Sequence, residues 1–146
     1  MEETPPSLLA LTTYLLSRVG KTARARIGRR LAARDLRLWH MAVLAALADF
    51  GPHAQRDLAA RLNIDPSDVV KVLDELAAPG YVERARDPAD RRRVSVMVTS
   101  AGRAVLNELT AEAAAVQEEI LAPLDDGERA QLHDLLRRLF AHERET

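Results

Sequence analysis

The chain has 146 residues, of which 21 are Lys or Arg and 22 are Asp or Glu, and it contains no cysteine. This length predicts one compact domain over residues 1–146 and excludes two full catalytic domains. The absence of cysteine excludes disulfide bonds, a thiol nucleophile, Cys-type zinc sites and a cysteine redox switch. Since 47% of the residues are hydrophobic and few are aromatic, the composition favours a folded, mainly helical protein.

The first residues carry no signal-peptide pattern, because Met1 is followed by two glutamates where a signal peptide has basic residues. No apolar run approaches the roughly 18 residues that a membrane span needs. We therefore expect a cytoplasmic protein with no membrane partner.

The formal net charge of −1 conceals an uneven distribution of charge. Residues 105–146 hold ten acids and four bases, whereas residues 18–37 hold eight bases and one acid. Five arginines also fall within the ten residues 84–93. A basic tip on a body of low net charge is able to bind phosphate, so the net charge does not exclude nucleic acid as a partner.

The first half of the chain has a helical pattern. Apolar residues at steps of three and four over residues 8–31 predict one long helix, and the same pattern over residues 36–47 predicts a second, which ends at Gly51-Pro52. A short helix is expected from about Gln55. The turn that follows leads to Pro66, which suits the first position of the next helix because proline's missing N–H is no loss there.

The pattern then changes from a helical period to an alternation. The helix that Asp65 caps is expected to end at Pro79-Gly80, and residues 81–84 and 94–98 alternate apolar with polar side chains. A turn sequence at residues 87–90 separates these two segments, so they predict a β-hairpin with a charged tip. The order predicts a helix-turn-helix followed by a wing, forming a winged helix-turn-helix subdomain over residues 36–99.

Two long helices are predicted after the hairpin. Thr99 or Ser100 is placed to cap the first, and Asp125 with Glu128 three residues later resembles a capping box that opens the second.

The terminal helices carry apolar stripes longer than the middle of the chain is able to cover. We therefore expect residues 7–34 and 100–146 to be dimerisation helices, with a monomeric bundle as the alternative. The predicted fold class is mainly α with a small β-hairpin wing, flanked by N- and C-terminal dimerisation helices.

This series of motifs resembles the multiple antibiotic resistance regulator (MarR) family of winged helix-turn-helix transcription factors. The resemblance covers about residues 36–106, and Pro79 and the pair Trp39-His40 depart from the family's usual pattern. The motifs are Gln55-Arg-Asp-Leu-Ala-Ala-Arg-Leu, Asp65-Pro-Ser-Asp-Val-Val-Lys-Val-Leu-Asp-Glu-Leu, Gly80-Tyr-Val-Glu-Arg, Asp87-Pro-Ala-Asp-Arg-Arg and Val98-Thr-Ser-Ala-Gly. The resemblance implies a homodimer that binds double-stranded DNA.

The helix from Pro66 presents Ser67, Asp68 and Lys71 for reading the major groove. Gln55 and Ser67 lie at helix N-termini, which attract phosphate. Asp68 either accepts a hydrogen bond from a cytosine amino group or caps its own helix. The alternative for Lys71 is a solvated helix lysine.

The cluster of Arg91, Arg92 and Arg93 at the hairpin tip fits the electronegative minor groove. The alternatives are a solvated charge run or internal pairs with Asp87 and Asp90. Hairpin alternation also allows Arg93 to turn away from the DNA.

Members of the family commonly release DNA when a small phenolic or carboxylate-bearing molecule binds. A pocket for such an aromatic or anionic effector is predicted at Trp39 and His40 with Tyr14 and Arg18, which offer an aromatic wall, an imidazole and a cation. The alternatives are core packing for Trp39, a structural role for His40 and a dimer-surface charge for Arg18.

An enzyme is not expected. Of the four histidines, His133 and His142 lie nine residues apart on one predicted helix and therefore on opposite faces, so no metal site is predicted. No phosphate-binding glycine loop or cofactor turn is present, so no cofactor is expected.

The sequence predicts a ligand-responsive, sequence-specific repressor that binds a palindromic operator. The alternatives are a ligand-independent regulator or activator, and a protein-interaction module that has lost DNA binding.

Overall fold

The computed structural model describes residues 3–145. Met1, Glu2 and Thr146 lie outside the described residues, and with them both ends of the domain predicted for residues 1–146. The described elements, in chain order, are helices α1 (Pro6–Leu9), α2 (Thr12–Ala32) and α3 (Leu38–Phe50), strand β1 (His53–Ala54), helices α4 (Gln55–Leu62) and α5 (Pro66–Ala77), strands β2 (Val82–Arg86) and β3 (Val94–Val98), and helices α6 (Ser100–Ile120) and α7 (Asp126–Glu145).

The single first helix predicted for residues 8–31 is wrong in one respect, because it is broken into α1 and α2. Leu11 is extended, with φ −96° and ψ 113°, and Thr12 begins α2. The β-branched Thr12 and Thr13 lose side-chain freedom in a helix, so an interruption there costs little. The C-terminal end of α2 packs into the core at Leu31, which has no exposed surface.

The predicted helix-turn-helix is confirmed in α4 and α5. Asn63 ends α4 in the left-handed conformation, with φ 52°, which asparagine tolerates better than most residues. Ile64 then enters the core, and Asp65 caps α5 with Pro66 in its first turn. Gly51, with φ 85°, follows the last residue of α3.

The predicted hairpin is confirmed, and it belongs to a sheet of three strands in the order β1-β3-β2, antiparallel throughout. The sequence analysis missed β1, in which His53 pairs with Val96 of β3. Two residues are too few to show an alternating pattern. Strand β2 begins at Val82 and extends to Arg86, one residue later and two residues further than predicted.

The start of α6 is fixed against β2 by a close backbone approach. Thr99 caps the helix, because its hydroxyl accepts a hydrogen bond from the Gly102 N–H at 3.0 Å. A Cβ atom on Gly102 would lie 2.1 Å from the carbonyl oxygen of Tyr81, so only glycine fits here. The wing and the long helix α6 are therefore joined without a flexible linker.

The last helix is opened by the predicted capping box. The Asp125 N–H donates to Glu128 at 3.0 Å, and the Glu128 N–H donates to the Asp125 carboxylate at 2.9 Å. Helix α7 buries none of its described residues, unlike α6, which packs along α2 and contributes Val105 and Leu109 to the core. None of the helices in residues 3–145 is long and apolar enough to cross a membrane.

Candidate nucleic-acid interface

The N-terminus of α5 is built on the carboxylate of Asp65. One of its oxygens accepts hydrogen bonds from the backbone N–H of Ser67 at 2.9 Å and from the Ser67 hydroxyl at 2.5 Å. These two hydrogen bonds, the hydroxyl's first, hold the pKa of the Asp65 carboxyl below its usual range. The Ser67 hydroxyl thus donates within the protein and keeps its lone pairs free as acceptors.

The face of α5 that points away from the core carries the predicted base-reading residues. Ser67, Asp68 and Lys71 are all exposed, whereas the opposite face is buried. Asp68 makes no hydrogen bond to the start of the helix among the described residues, since Asp65 supplies the cap. Asp68 is therefore not the hydrogen-bonding cap of α5, although it is an exposed acid in the first turn, where the helix dipole favours negative charge.

Val70 was not predicted to lie on the exposed face of α5. It is 40% exposed on the same helix, and an exposed valine there is suited to apolar contact with a thymine methyl group. The signal was present in the sequence, because Val70 lies one position off the stripe that Val69, Val72 and Leu76 form on the buried face.

A cleft of about 430 Å³ separates α4 and α5 from the wing. Gln55, which is half-buried at the start of α4, lies on one side of this cleft, and Arg92 and Arg93 lie on the other. Arg56, a further cation that the sequence analysis did not select, also lines it. The remaining lining residues are Ala54, Pro66, Val69, Val70, Asp90 and Val94.

The wing tip is held by its own backbone and by two aspartates. The Asp87 carboxylate accepts from the Ala89 N–H at 2.8 Å, and the Asp90 carboxylate accepts from the Arg92 N–H at 3.0 Å. The Arg86 side chain donates to the carbonyl oxygen of Arg91 at 2.8 Å. The acids of the tip therefore shape the loop rather than neutralise its arginines.

The three arginines of the tip have different surroundings. The guanidinium groups of Arg91 and Arg92 are exposed and have no ion pair within residues 3–145. The guanidinium of Arg93 is turned toward α4, where it pairs with the Asp57 carboxylate at 3.0 Å. The side chains of Arg92 and Asp90, whose internal pairing was an alternative predicted from the sequence, form no ion pair among residues 3–145.

Two further ion pairs attach α5 to its neighbours. Asp74 pairs with Arg84 of β2 at 2.7 Å, and Glu75 accepts from Arg37, just before α3, at 2.8 and 3.1 Å. The exposed face of α5 is thus connected to the wing on one side and to α3 on the other.

The predicted effector residues form one pair and two separate positions. The Arg18 guanidinium donates to the Tyr14 hydroxyl at 2.9 Å, and both residues line an open cleft of about 320 Å³ with Thr22 and Ile120. Trp39 lies at the start of α3 with 42% of its surface exposed, outside the lining of that cleft.

His40 is buried, with only 1% of its surface exposed. Its Nδ1 accepts a hydrogen bond from the Arg37 N–H at 2.8 Å, and its Nε2 lies 3.4 Å from the Glu75 carboxylate. Burial lowers the pKa of His40, and the nearby Glu75 carboxylate opposes that shift only in part. The imidazole is therefore neutral at pH 7 and caps the start of α3.

No group of three or more potential metal ligands comes together in the described part of the chain. The arrangement offers hydrogen-bond donors, acceptors and cations around an open cleft, which is the chemistry of a surface that recognises a polyanion.

Comparison with known proteins agrees with this geometry. The profile of the MarR family matches residues 34–93. The transcriptional repressor NicR of Pseudomonas putida is 27% identical over 140 residues, which cover 96% of this chain and 89% of NicR. A probable transcriptional regulator of Pseudomonas aeruginosa, known from its crystal structure, is 30% identical with a TM-score of 0.76, and the match covers 90% of this chain and 98% of that protein. This chain belongs to the MarR family.

A further MarR-like structure is that of BpsR from Bordetella bronchiseptica, which is 28% identical with a TM-score of 0.75 over 94% of this chain and 97% of BpsR. The DNA binding of BpsR is regulated by 6-hydroxynicotinic acid. The MarR-family protein described here is a DNA-binding transcriptional regulator with a winged helix-turn-helix, and its family and relatives are regulators rather than enzymes.

Proposed function

We propose that this MarR-family regulator is a homodimeric repressor that binds a palindromic operator and releases it when a small aromatic or anionic acid binds. The observation that carries the DNA-binding part is the cleft between α5 and the wing. Its rims hold the exposed polar face of α5 and Arg92, which has no ion pair among residues 3–145, with Arg91 beside it at the wing tip. A major groove and the adjacent minor groove fit these two rims.

The side chains divide by chemistry between base and phosphate contacts. Lys71 donates to guanine, Asp68 accepts from cytosine, and Ser67 offers lone pairs because its hydrogen is already used. Gln55 donates to the phosphate backbone at the start of α4, and Arg91 and Arg92 enter or flank the minor groove. Arg93 is not among these contacts, because its guanidinium pairs with Asp57.

Dimerisation follows from apolar surface that one chain leaves uncovered. Large apolar residues are exposed on the N-terminal helices and on α7, where none of the described residues is buried. They are Leu9, Leu11, Leu15, Leu16 and Val19, exposed by 42–54%, and Leu135, Leu136, Leu139 and Phe140, exposed by 39–59%. Exposed apolar surface of this extent indicates an interface. A second copy of the chain carries the same two apolar stripes, so the two copies are able to cover each other's. In this proposal residues 36–99 form the DNA-reading subdomain, and residues 7–34 and 100–146 form the dimer.

Selection of duplexes from a random DNA pool tests the DNA-binding part. We expect the full chain to enrich two inverted half-sites whose centres lie about 34 Å apart, one turn of the double helix. Enrichment of nothing would favour the protein-interaction module. Enrichment of one unrepeated half-site by a monomer would contradict the dimer.

The effector part rests on the paired side chains Tyr14 and Arg18. An aromatic acid is able to stack on the tyrosine ring while its carboxylate meets the guanidinium. We propose this cleft as the effector site; Trp39 and His40 lie outside its lining. Because BpsR responds to 6-hydroxynicotinic acid, that compound is a suitable first probe.

The effector test uses Trp39, which is the single tryptophan of the chain. Titration with 6-hydroxynicotinic acid and other aromatic acids is expected to raise the melting temperature and reduce operator affinity, and Arg18→Gln is expected to abolish both effects. Arg24→Gln is the control, because it removes from the same helix an exposed cation that has no ion pair in the described part of the chain. A panel without any effect on melting, tryptophan fluorescence or operator affinity would favour the ligand-independent regulator.

A further inference from the structure

The contact between the wing and α4 depends on one ion pair. Arg93 lies at the end of the wing loop, and Asp57 lies in the first turn of α4. Their side chains meet at 3.0 Å across 36 positions of sequence, and the Nε of Arg93 is buried without a hydrogen-bond partner. No other ion pair joins the wing loop to α4 in the described residues.

The backbone of Arg93 is fixed as firmly as its side chain. Its carbonyl oxygen accepts from the Asp87 N–H at 2.9 Å, and its own N–H donates to the carbonyl of Asp90 at 3.0 Å. These two hydrogen bonds close the loop that carries Arg91 and Arg92. A displacement of the Arg93 side chain is therefore expected to move the whole tip of the wing.

We propose that Arg93 is a positioning residue rather than a DNA contact, and that its pair with Asp57 sets the distance between the wing tip and the helix-turn-helix. This inference rests on the proposed DNA binding. It replaces the DNA-contact role that the sequence suggested for Arg93. The guanidinium that faces α4 is not available to phosphate while it holds the Asp57 carboxylate.

Because Asp57 is negatively charged, the inference is tested by whether its replacement raises or lowers the affinity for DNA. Asp57 lies beside the cleft that receives DNA, so a simple loss of its negative charge reduces repulsion and strengthens DNA binding. If the carboxylate instead holds the wing through Arg93, its loss weakens binding to the selected operator. We expect Asp57→Asn to reduce operator affinity by up to about fivefold, the ratio that corresponds to an exposed ion pair.

The control variant is Glu83→Gln, which removes one negative charge from an exposed position on β2 and breaks no ion pair seen among the described residues. It is expected to leave operator affinity unchanged or slightly raised. The charge-exchanged double variant Asp57→Arg with Arg93→Asp is expected to recover affinity relative to Arg93→Asp alone. The dependence of affinity on salt should keep its wild-type slope in Asp57→Asn, because no phosphate contact is lost.

A distance measurement without DNA separates this inference from the proposed function. The chain has no cysteine, so spin labels are readily placed at Ala60→Cys on α4 and Ala89→Cys on the wing tip, with the labelled protein diluted into unlabelled protein. We expect a narrow distribution of distances between the labels in the otherwise wild-type protein, a broad one with Asp57→Asn, and a narrow one again in the charge-exchanged variant.

The outcomes are distinct. If the wild type selects no duplex, the DNA-binding proposal fails, and the label distances alone decide whether the pair holds the wing. If the wild type binds its operator but Asp57→Asn binds as well or better, the ion pair does not position the wing. If Arg93→Gln makes the salt slope shallower by about two, Arg93 contacts phosphate. Either result overturns the inference.

Discussion

Replacing Arg91 or Arg92 by alanine should weaken binding to every DNA sequence and make that binding less dependent on salt. Both guanidinium groups are exposed, and neither is held in an ion pair among residues 3–145. Each phosphate that a cation neutralises adds ~0.9 to the magnitude of the slope of log K against log salt, so a dimer that loses one contact per subunit loses ~1.8. Between about 50 and 200 mM salt, this difference changes the ratio of wild-type to variant affinity by about 12-fold. Fluorescence anisotropy with operator and random duplexes at four or more salt concentrations measures it.

The wing loop supplies the matched control. The Asp90 carboxylate holds the Arg92 backbone N–H rather than its guanidinium, so Asp90→Ala disorders the tip without removing a cation. We expect Asp90→Ala to lower affinity while the salt slope stays at the wild-type value. Unchanged slopes for both arginine variants would refute the assignment of Arg91 and Arg92 to DNA.

Three other predictions concern assembly, base reading and pH. The double variant Leu135→Asp with Leu139→Asp is expected to sediment as a 16.2 kDa monomer where the wild type sediments at twice that mass, and an unchanged dimer would exclude α7 from the interface. Lys71→Ala is expected to cost ~1–3 kcal/mol on the operator and to relax preference at one base pair in a selection experiment, whereas equal loss on all sequences would make Lys71 a phosphate contact. Burial lowers the pKa of His40, so unfolding takes up a proton and stability falls as the pH drops below about 6.5, the ordinary histidine pKa. Chemical denaturation from pH 7.5 to 5 should show that His40→Asn removes this part of the pH dependence and that the exposed variant His133→Gln retains it.

The order of elements was predictable because local chemistry decides most of their boundaries. Asp65 and Pro66 begin α5, Thr99 begins α6, and Asp125 with Glu128 opens α7, each through a hydrogen bond or backbone preference that acts within a few residues. These signals need no knowledge of tertiary structure. The winged helix-turn-helix was therefore readable from sequence.

What the sequence did not predict depends on contacts between distant segments. Strand β1 exists only because β3 supplies its partner, and Arg93 faces α4 only because the folded wing brings it within reach of Asp57. His40 was predicted to be an effector residue because of its residue type. In the fold it is only 1% exposed, and its Nδ1 caps the start of α3. Residue type indicated which side chains have useful chemistry, and tertiary contacts determined which remained free to use it.

The distribution of ion pairs explains how a chain of net charge −1 carries a cationic wing tip. The basic segment of residues 18–37 does not act as a second phosphate-binding surface along its whole length, because Arg26 and Arg30 of α2 and Arg34 just after it pair with glutamates of α6. Those pairs also hold the pKa of Glu112 below its usual range, chiefly through its hydrogen bond with Arg30. Three acids of the C-terminal half, Glu108, Glu112 and Glu119, are thus used internally, against α2 and the residues just after it. Since charge at more than about 10 Å is largely screened at physiological salt, the field at the tip depends on the charges of the wing loop itself, Arg91 and Arg92 among them, rather than on the net charge of the chain.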